Sequence, residues 1–189
     1  MEPLQDPLEL DQYKVKLGFD KALVNRSGKI WIFWRDDWEG TIVMDSLQQI
    51  TMRFCRNDSY YIIFSVYARC SAIVRLELWA ELEGSAENSQ VSWIVGGDFN
   101  VSLCAEEKLG GLAFIQHEAI DFSQCINNCA SAELDVIGSK YSWWNGRIEE
   151  EGILKRLDRV LKNNVFQEAF PSTVVHHLIR QGSDMLCYI

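Results

Sequence analysis

Residues 91–100 read Val91-Ser92-Trp93-Ile94-Val95-Gly96-Gly97-Asp98-Phe99-Asn100. Val91–Val95 is a short apolar run with the β-branched and aromatic content of a buried strand. It ends in two glycines, a carboxylate, an aromatic and an amide. At a strand end an Asp and an Asn two residues apart can point into one cleft, because strand side chains alternate with a period of two. A carboxylate and an amide held there suit a divalent cation and a phosphate oxygen. Gly, Asp and Asn are also the residues of a strand-ending turn, so the stretch alone leaves both readings open.

Outward from this stretch, strand-like and helical patterns interleave. Upstream, Leu8–Gly18 reads as a short helix ending at Gly18, and Ala22–Val24 with Lys29–Trp34 as a hairpin turning through Asn25-Arg26-Ser27-Gly28. Asp36–Gly40 reads as a polar break. Ile50–Cys55 and Tyr60–Ala68 form the next strand pair, joined by Arg56-Asn57-Asp58-Ser59. Ser71–Leu82 has helical spacing, and Gly84–Gln90 reads as a polar loop. Downstream, His117–Cys129 reads as a helix with Phe122, Cys125, Ile126 and Cys129 on one face. Tyr141–Trp144 reads as a strand, Asn145–Gly152 as an acidic turn, and Leu154–Leu161 as an alternating run around Asp158. Val165–Phe170 is a helical turn stopped by Pro171, and Val174–Ile179 a last strand before Gln181-Gly182-Ser183-Asp184. Hairpin-like neighbours among interleaved helices favour a mixed α/β sandwich over an all-parallel sheet.

Composition narrows the classes. The chain has 189 residues, enough for one domain with a core that needs neither metals nor disulfides. Aromatics at 12% and only three prolines exclude a disordered or linker-dominated chain. The longest apolar runs, Ile30–Trp34 and Trp93–Val95, are too short to span a bilayer. No secretory leader is visible in Met1-Glu2-Pro3, so an intracellular location is expected. The net charge of −9 argues against a basic nucleic-acid-binding module and for weak binding of DNA. It does not exclude a nuclease, whose acidic residues hold metal ions. Six cysteines show no CxxC pair; Cys125 and Cys129 stand one helical turn apart with no His nearby to complete a zinc set, and all six read as reduced thiols.

Taken in order, Gly97-Asp98-Phe99-Asn100, Tyr141-Ser142-Trp143-Trp144-Asn145, Arg156-Leu157-Asp158-Arg159 and Gly182-Ser183-Asp184 resemble the endonuclease/exonuclease/phosphatase, or DNase I-like, superfamily. Lys29–Trp34, Phe64–Ala68 and Glu107-Lys108-Leu109-Gly110-Gly111 are similar to the endonuclease domains of plant LINE-type non-LTR retrotransposons. The resemblance covers nearly the whole of residues 1–189. It implies a four-layered α/β sandwich, two mixed β-sheets face to face with helices outside, and nicking of DNA dependent on Mg²⁺ or Mn²⁺, at nuclear DNA for a working retroelement enzyme.

Carried over residue by residue, it gives Glu2 and Asp184 to the metal and Tyr67 to the reacting phosphate. Asp98 orients or deprotonates the attacking water, Asn100 steadies the scissile phosphate, and Asp158 orients a catalytic His. Three departures stand out. The His expected after Asp184 is Met185, and a thioether carries no positive charge. The first and last strands of the family pattern are missing, so an incomplete sandwich with exposed strand edges is expected. His117, at a helix start, is expected on the surface. His176 and His177 face opposite ways. Trp31, Trp34, Trp143 and Trp144 are expected to cover the core or the sheets. The basic residues Lys14, Lys16, Lys21 and Arg26 are too sparse for a DNA footprint. The expected outcome is an enzyme of weak activity or a non-catalytic remnant that binds a metal or a partner.

Overall fold

The computed structural model describes residues 6–86, 90–114, 116–177 and 187–188. Glu2, Asp184, Met185 and the end of the expected strand Val174–Ile179 lie outside the described residues. In chain order the elements are α1 (Leu10–Leu17), β1 (Lys21–Val24), β2 (Trp31–Trp34), β3 (Glu39–Asp45), β4 (Gln49–Arg56), β5 (Ser59–Tyr67), α2 (Ala72–Ala86) and β6 (Ser92–Asp98). They continue with β7 (Lys108–Leu109), α3 (His117–Asn128), β8 (Ala132–Glu133), β9 (Val136–Gly138), β10 (Trp143–Trp144), β11 (Leu154–Lys155), β12 (Asp158–Lys162), α4 (Asn164–Ala169), β13 (Val175–His177) and β14 (Cys187–Tyr188).

Six strands form one mixed sheet in the order β3-β4-β5-β6-β12-β8. Only β5 and β6 run parallel in it, and α2 is the crossover between them. Strand alternation decides which side chain goes to which layer. Phe64, Val66, Trp93, Val95 and Leu161 point to α2 and α3, where they meet Leu78, Trp79, Leu82 and Phe122. The interleaved residues point the other way. Ile50, Met52 and Phe54 pack under the β1–β2 hairpin against Ile30, Leu23, Ile32 and Trp34. Ile94 and Val160 pack with Leu134, Val175 and Val136, beneath the small sheet β14-β13-β9. On the outside of the hairpin, α1 brings Tyr13 edge-on to Trp31 at 5.5 Å. The layers therefore run helix, large sheet, small sheets, helix. A further small sheet has the order β10-β11-β7.

Several expectations change in detail. Residues 36–38 form a turn as expected, but the chain is already extended at Glu39 and Gly40, the start of β3, an outer strand of the large sheet with Ile42 51% and Val43 59% exposed. This strand has a neighbour on one side only and a register shift between Ile42 and Met44, so its residues show no readable alternation. The helix Ala72–Ala86 runs through Gly84, which was read as loop. The strand read as Val91–Val95 continues through both glycines to Asp98, so Asp98 is a strand residue rather than part of a turn. The alternating run Leu154–Leu161 is two strands: β11 belongs to the small sheet and β12 to the large one, with the chain changing sheets at Arg156-Leu157.

Candidate active site

The site is built at the end of the large sheet, and Gly97 makes it possible. Gly97 has φ +144, and a Cβ placed there would lie 1.9 Å from the Val66 carbonyl oxygen. Only glycine lets β6 run this close to β5. The next residue but one, Phe99, is fully buried and stacks on Phe122 at 4.7 Å between ring centroids, with Trp79 beyond it. With Phe99 anchored under the helices, Asp98 is turned to the opposite face.

Pairing then sets a row of three side chains. Tyr67 is registered with Asp98 across the parallel β5–β6 pair, and Asp98 with Asp158 across the antiparallel β6–β12 pair. Paired residues project to the same face of a sheet, so the three stand side by side. Asn100 closes the group. It has φ +51, and its backbone N–H donates to Asp98 Oδ1 at 2.7 Å. Its Nδ2 donates to the Ala68 carbonyl at 2.7 Å and lies 3.4 Å from Asp98 Oδ2. Ala68 N–H in turn donates to the Asp98 carbonyl at 2.8 Å, which ties the ends of β5 and β6 together.

Asp158 is 1% exposed, and its backbone N–H donates to the Ser142 hydroxyl at 3.0 Å. Burial, and then the negative charge of Asp98 opposite, push its pKa up to about 8, against the pull of the Ser142 hydroxyl and Arg159. Asp158 is thus uncharged at neutral pH. Ion pairs lie behind it: Arg159, with its side chain fully buried, pairs with Glu107 and with Glu133 at 3.1 Å. Arg156 joins the same two carboxylates. Glu107 also accepts the Leu103 N–H at 2.6 Å, so this network fixes the loop that follows Asn100.

In front of the row opens a cleft of about 700 Å³, lined by Tyr67, Asp98 and Asn100 and also by Arg75, Lys108, Lys155 and His117. Arg75 donates to the carbonyls of Arg69 and Cys70 at 3.0 and 2.8 Å and so holds the loop after β5. Lys108 Nζ bonds the Leu112 carbonyl across the opposite rim. Lys155 Nζ sits 5.7 Å from the centre of the Trp143 ring, which also lines the cleft. Among the described residues, the cleft lining of this chain of net charge −9 holds three Lys and Arg side chains and one carboxylate.

Of the residues singled out in the sequence, the structure brings Tyr67, Asp98, Asn100 and Asp158 together, while Glu2 and Asp184 lie outside the described residues. His117 is exposed as expected, yet it lines the cleft. His177 bonds the Ser139 carbonyl at 2.7 Å in the β13 layer. Trp143, expected to cover a sheet, faces the cleft. Arg75, Lys108 and Lys155 went unassigned in the sequence. Lys108 lies inside the quoted stretch Glu107–Gly111 and Lys155 directly precedes Arg156-Leu157-Asp158-Arg159, but a lone lysine carries no signal until folding gathers several. Among the described residues, no three His, Cys, Asp or Glu side chains stand close enough to hold a metal ion.

The fold is similar to those of several solved structures at 9–15% sequence identity, a likeness of fold alone. The endonuclease domain of TRAS1, a telomere-specific non-LTR retrotransposon, superposes with a TM-score of 0.60 at 12% identity, over 84% of this chain and 79% of that one. An endonuclease/exonuclease/phosphatase family protein from Bacteroides thetaiotaomicron gives 0.55 at 15% identity, over 83% of this chain and 65% of that one. D. rerio TDP2, in complex with a single-stranded DNA product, gives 0.54 at 9% identity, over 93% and 72%. No protein-family model matches the sequence. No curated protein matches it either.

Proposed function

We propose that this chain is a nuclease-type phosphodiesterase domain whose cleft takes a DNA backbone, with hydrolysis slowed by the methionine at position 185. The observation that carries the reading is the convergence of Tyr67, Asp98 and Asn100 on a cleft rimmed by Arg75, Lys108 and Lys155. Hydrolysis of a phosphodiester needs a positioned water, a base and positive charge against the transition state. Asp98, fixed by the Asn100 N–H on Oδ1, would orient the attacking water and take its proton. The Asn100 amide donates to the Ala68 carbonyl and, at 3.4 Å, to Asp98 Oδ2, and the longer of these bonds would be exchanged for one to a phosphate oxygen. The Tyr67 hydroxyl shares the row and supplies another donor. Lys108 and Lys155 hold the flanking phosphates, and the Trp143 ring offers a surface for a sugar or base.

Mg²⁺ or Mn²⁺, when bound, would add positive charge at the phosphate. Glu2 and Asp184 are the residues that the resemblance gives to it. Asp98 and Asp158 offer oxygen donors, but an uncharged, buried Asp158 is a poor ligand, so the described residues do not by themselves fit a metal site. Met185 brings no charge where the resemblance places an imidazole, a loss on the order of 10²–10⁴ in rate.

The same two facts, an uncharged Asp158 and a methionine at 185, favour a second reading: a domain that binds DNA without cutting it. Nicking of supercoiled plasmid by the purified chain with Mg²⁺, beside Asp98→Ala, separates them. Slow nicking that disappears in the variant supports the enzyme. A folded chain that retards an oligonucleotide and nicks nothing supports the binding domain.

A further inference from the structure

Gln48 stands just before β4, is 3% exposed, and is not among the residues that line the cleft. A buried amide is costly unless both of its ends are paired, and this one pairs both. Its Oε1 accepts the Arg69 N–H at 2.8 Å, and its Nε2 donates to the Val74 carbonyl at 2.9 Å. Its backbone carbonyl accepts the Tyr67 N–H at 2.8 Å. One residue therefore ties together the end of β5, the loop after it and the first turn of α2. Its neighbours fix its own place: Gln49 Nε2 and the Ser46 hydroxyl both donate to Glu81 on α2, at 2.8 and 2.9 Å.

These bonds converge on Ala68. Tyr67 and Arg69, its two chain neighbours, both donate their N–H groups to Gln48. Ala68 itself donates to the Asp98 carbonyl and accepts the Asn100 amide at 2.7 Å. Arg75 holds the carbonyl of Arg69 from the other side. Where a backbone leaves a sheet, its N–H groups lose their strand partners, and Gln48 supplies the acceptor that Arg69 needs. We propose that Gln48 is a positioning residue for the cleft: it fixes Ala68, and through Ala68 the Asn100 amide, where a phosphate oxygen would be held. The inference rests on the reading of the cleft as a phosphodiesterase site.

The Ala68 carbonyl sets the direction of Asn100 Nδ2, so a shift of that carbonyl is a shift of the amide. Misplacement by about 1 Å in a reacting site costs on the order of 100-fold in rate. Lys108 and Lys155, which would hold the flanking phosphates, stand on β7 and β11, in a different sheet from β4 and β5. Loss of the Gln48 amide therefore slows the chemical step and leaves substrate binding as it was.

The test compares Gln48→Met, which keeps the volume and removes both amide bonds, with Gln48→Glu, which keeps an acceptor for Arg69. Met52→Ala, on β4 beneath the β1–β2 hairpin, controls for lost stability alone. The readouts are amide hydrogen exchange at Arg69, the side-chain amide resonances of Asn100, and steady-state nicking of a duplex oligonucleotide with Mg²⁺. Gln48→Met should speed exchange at Arg69 on the order of 10-fold, shift the Asn100 resonances, and lower kcat about 10–100-fold with KM unchanged. Gln48→Glu should recover most of the rate, and Met52→Ala should leave the Asn100 resonances and kcat as in the wild type. If Gln48→Met does not melt cooperatively, Gln48→Asn, one methylene too short to reach both partners, is read in its place. Unmoved Asn100 resonances in the folded variant, an equal fall of kcat in Met52→Ala, or a rise in KM at constant kcat overturns the proposal. A wild-type chain that nicks nothing overturns the phosphodiesterase reading instead, and the Asn100 resonances then decide whether Gln48 positions that amide.

Discussion

Asp158 faces Asp98 in register across two antiparallel strands, and burial together with the charge of Asp98 opposite holds the Asp158 carboxyl well above the ordinary carboxylate range. Asp98 lies at the cleft and Asp158 is buried beneath it. Like charges directly opposite in a sheet repel, and burial settles which of the two keeps its proton.

This pair sets a pH dependence of stability. The folded-state pKa of Asp158 is raised, so the folded chain holds a proton that the unfolded chain releases. Its contribution is fully present below the ordinary carboxylate value of 3.8 and is lost as pH rises through about 8. Asp158→Asn, which mimics the protonated form, should leave stability near pH 4 little changed and raise it by a few kcal/mol above pH 8. Denaturant melts of both proteins from pH 4 to 9 give the check. Curves that stay parallel throughout would show that Asp158 does not titrate in this window.

Gly97→Ala should be among the most damaging small substitutions in the chain. The added methyl would lie 1.9 Å from the Val66 carbonyl, against backbone that cannot give way, and at φ +144. A loss of about 3 kcal/mol or more is expected, with disruption of the β5–β6 pair. Thermal melting beside Gly84→Ala, where a Cβ meets nothing within 4 Å, measures the difference.

Arg159→Ala should cost about 1–3 kcal/mol, because it removes the fully buried partner of Glu107 and Glu133 and leaves both carboxylates to Arg156 alone among the described residues. Replacing Arg156, Arg159, Glu107 and Glu133 together by apolar residues of similar volume should recover much of that loss. If the fourfold variant is no more stable than Arg159→Ala in denaturant melts, the network's value lies in holding the loop after Asn100 rather than in charge balance.

Lys155→Ala and Lys108→Ala should each weaken binding of a labelled oligonucleotide, and each should lower the slope of log affinity against log salt by about 0.7–0.9. Lys14→Ala, on α1 and paired with Asp11, should leave both unchanged. Fluorescence anisotropy at several salt concentrations reads both quantities. Equal slopes in all three variants would remove the cleft from the interface.

Met185→His should raise nicking by about 10²–10⁴ if the missing imidazole alone limits the rate. The plasmid assay used for Asp98→Ala gives the ratio directly. Nicking that stays at background in a folded Met185→His chain would place the fault elsewhere in the domain.

Much of the fold was legible where two faces of a strand are covered. Ile50–Cys55, Tyr60–Ala68 and the apolar run before Gly96 announce buried strands by residue type alone. The outer strand β3 was not, because one-sided pairing leaves Ile42 and Val43 exposed and erases alternation. Asp98 and Asn100 were legible as a pair from spacing and neighbours. The burial of Asp158 and Arg159 was not, since a Lys-Arg-Leu-Asp-Arg run reads as a solvated face until Glu107 and Glu133 arrive from elsewhere in the chain. The basic rim was illegible for the same reason: Arg75, Lys108 and Lys155 share a cleft and no motif.

The change of sheet at Arg156-Leu157 places Lys155 at the rim and Asp158 in the buried row, three residues along one short bridge. The spacing of that bridge is a reading frame. Deleting one residue from it would carry Arg159 toward the place of Asp158, or drag Lys155 off the rim, because a one-residue slip in a strand exchanges its two faces. Evolution can vary the long acidic turn at Asn145–Gly152 in length as well as in sequence. The bridge that follows can change only by substitution.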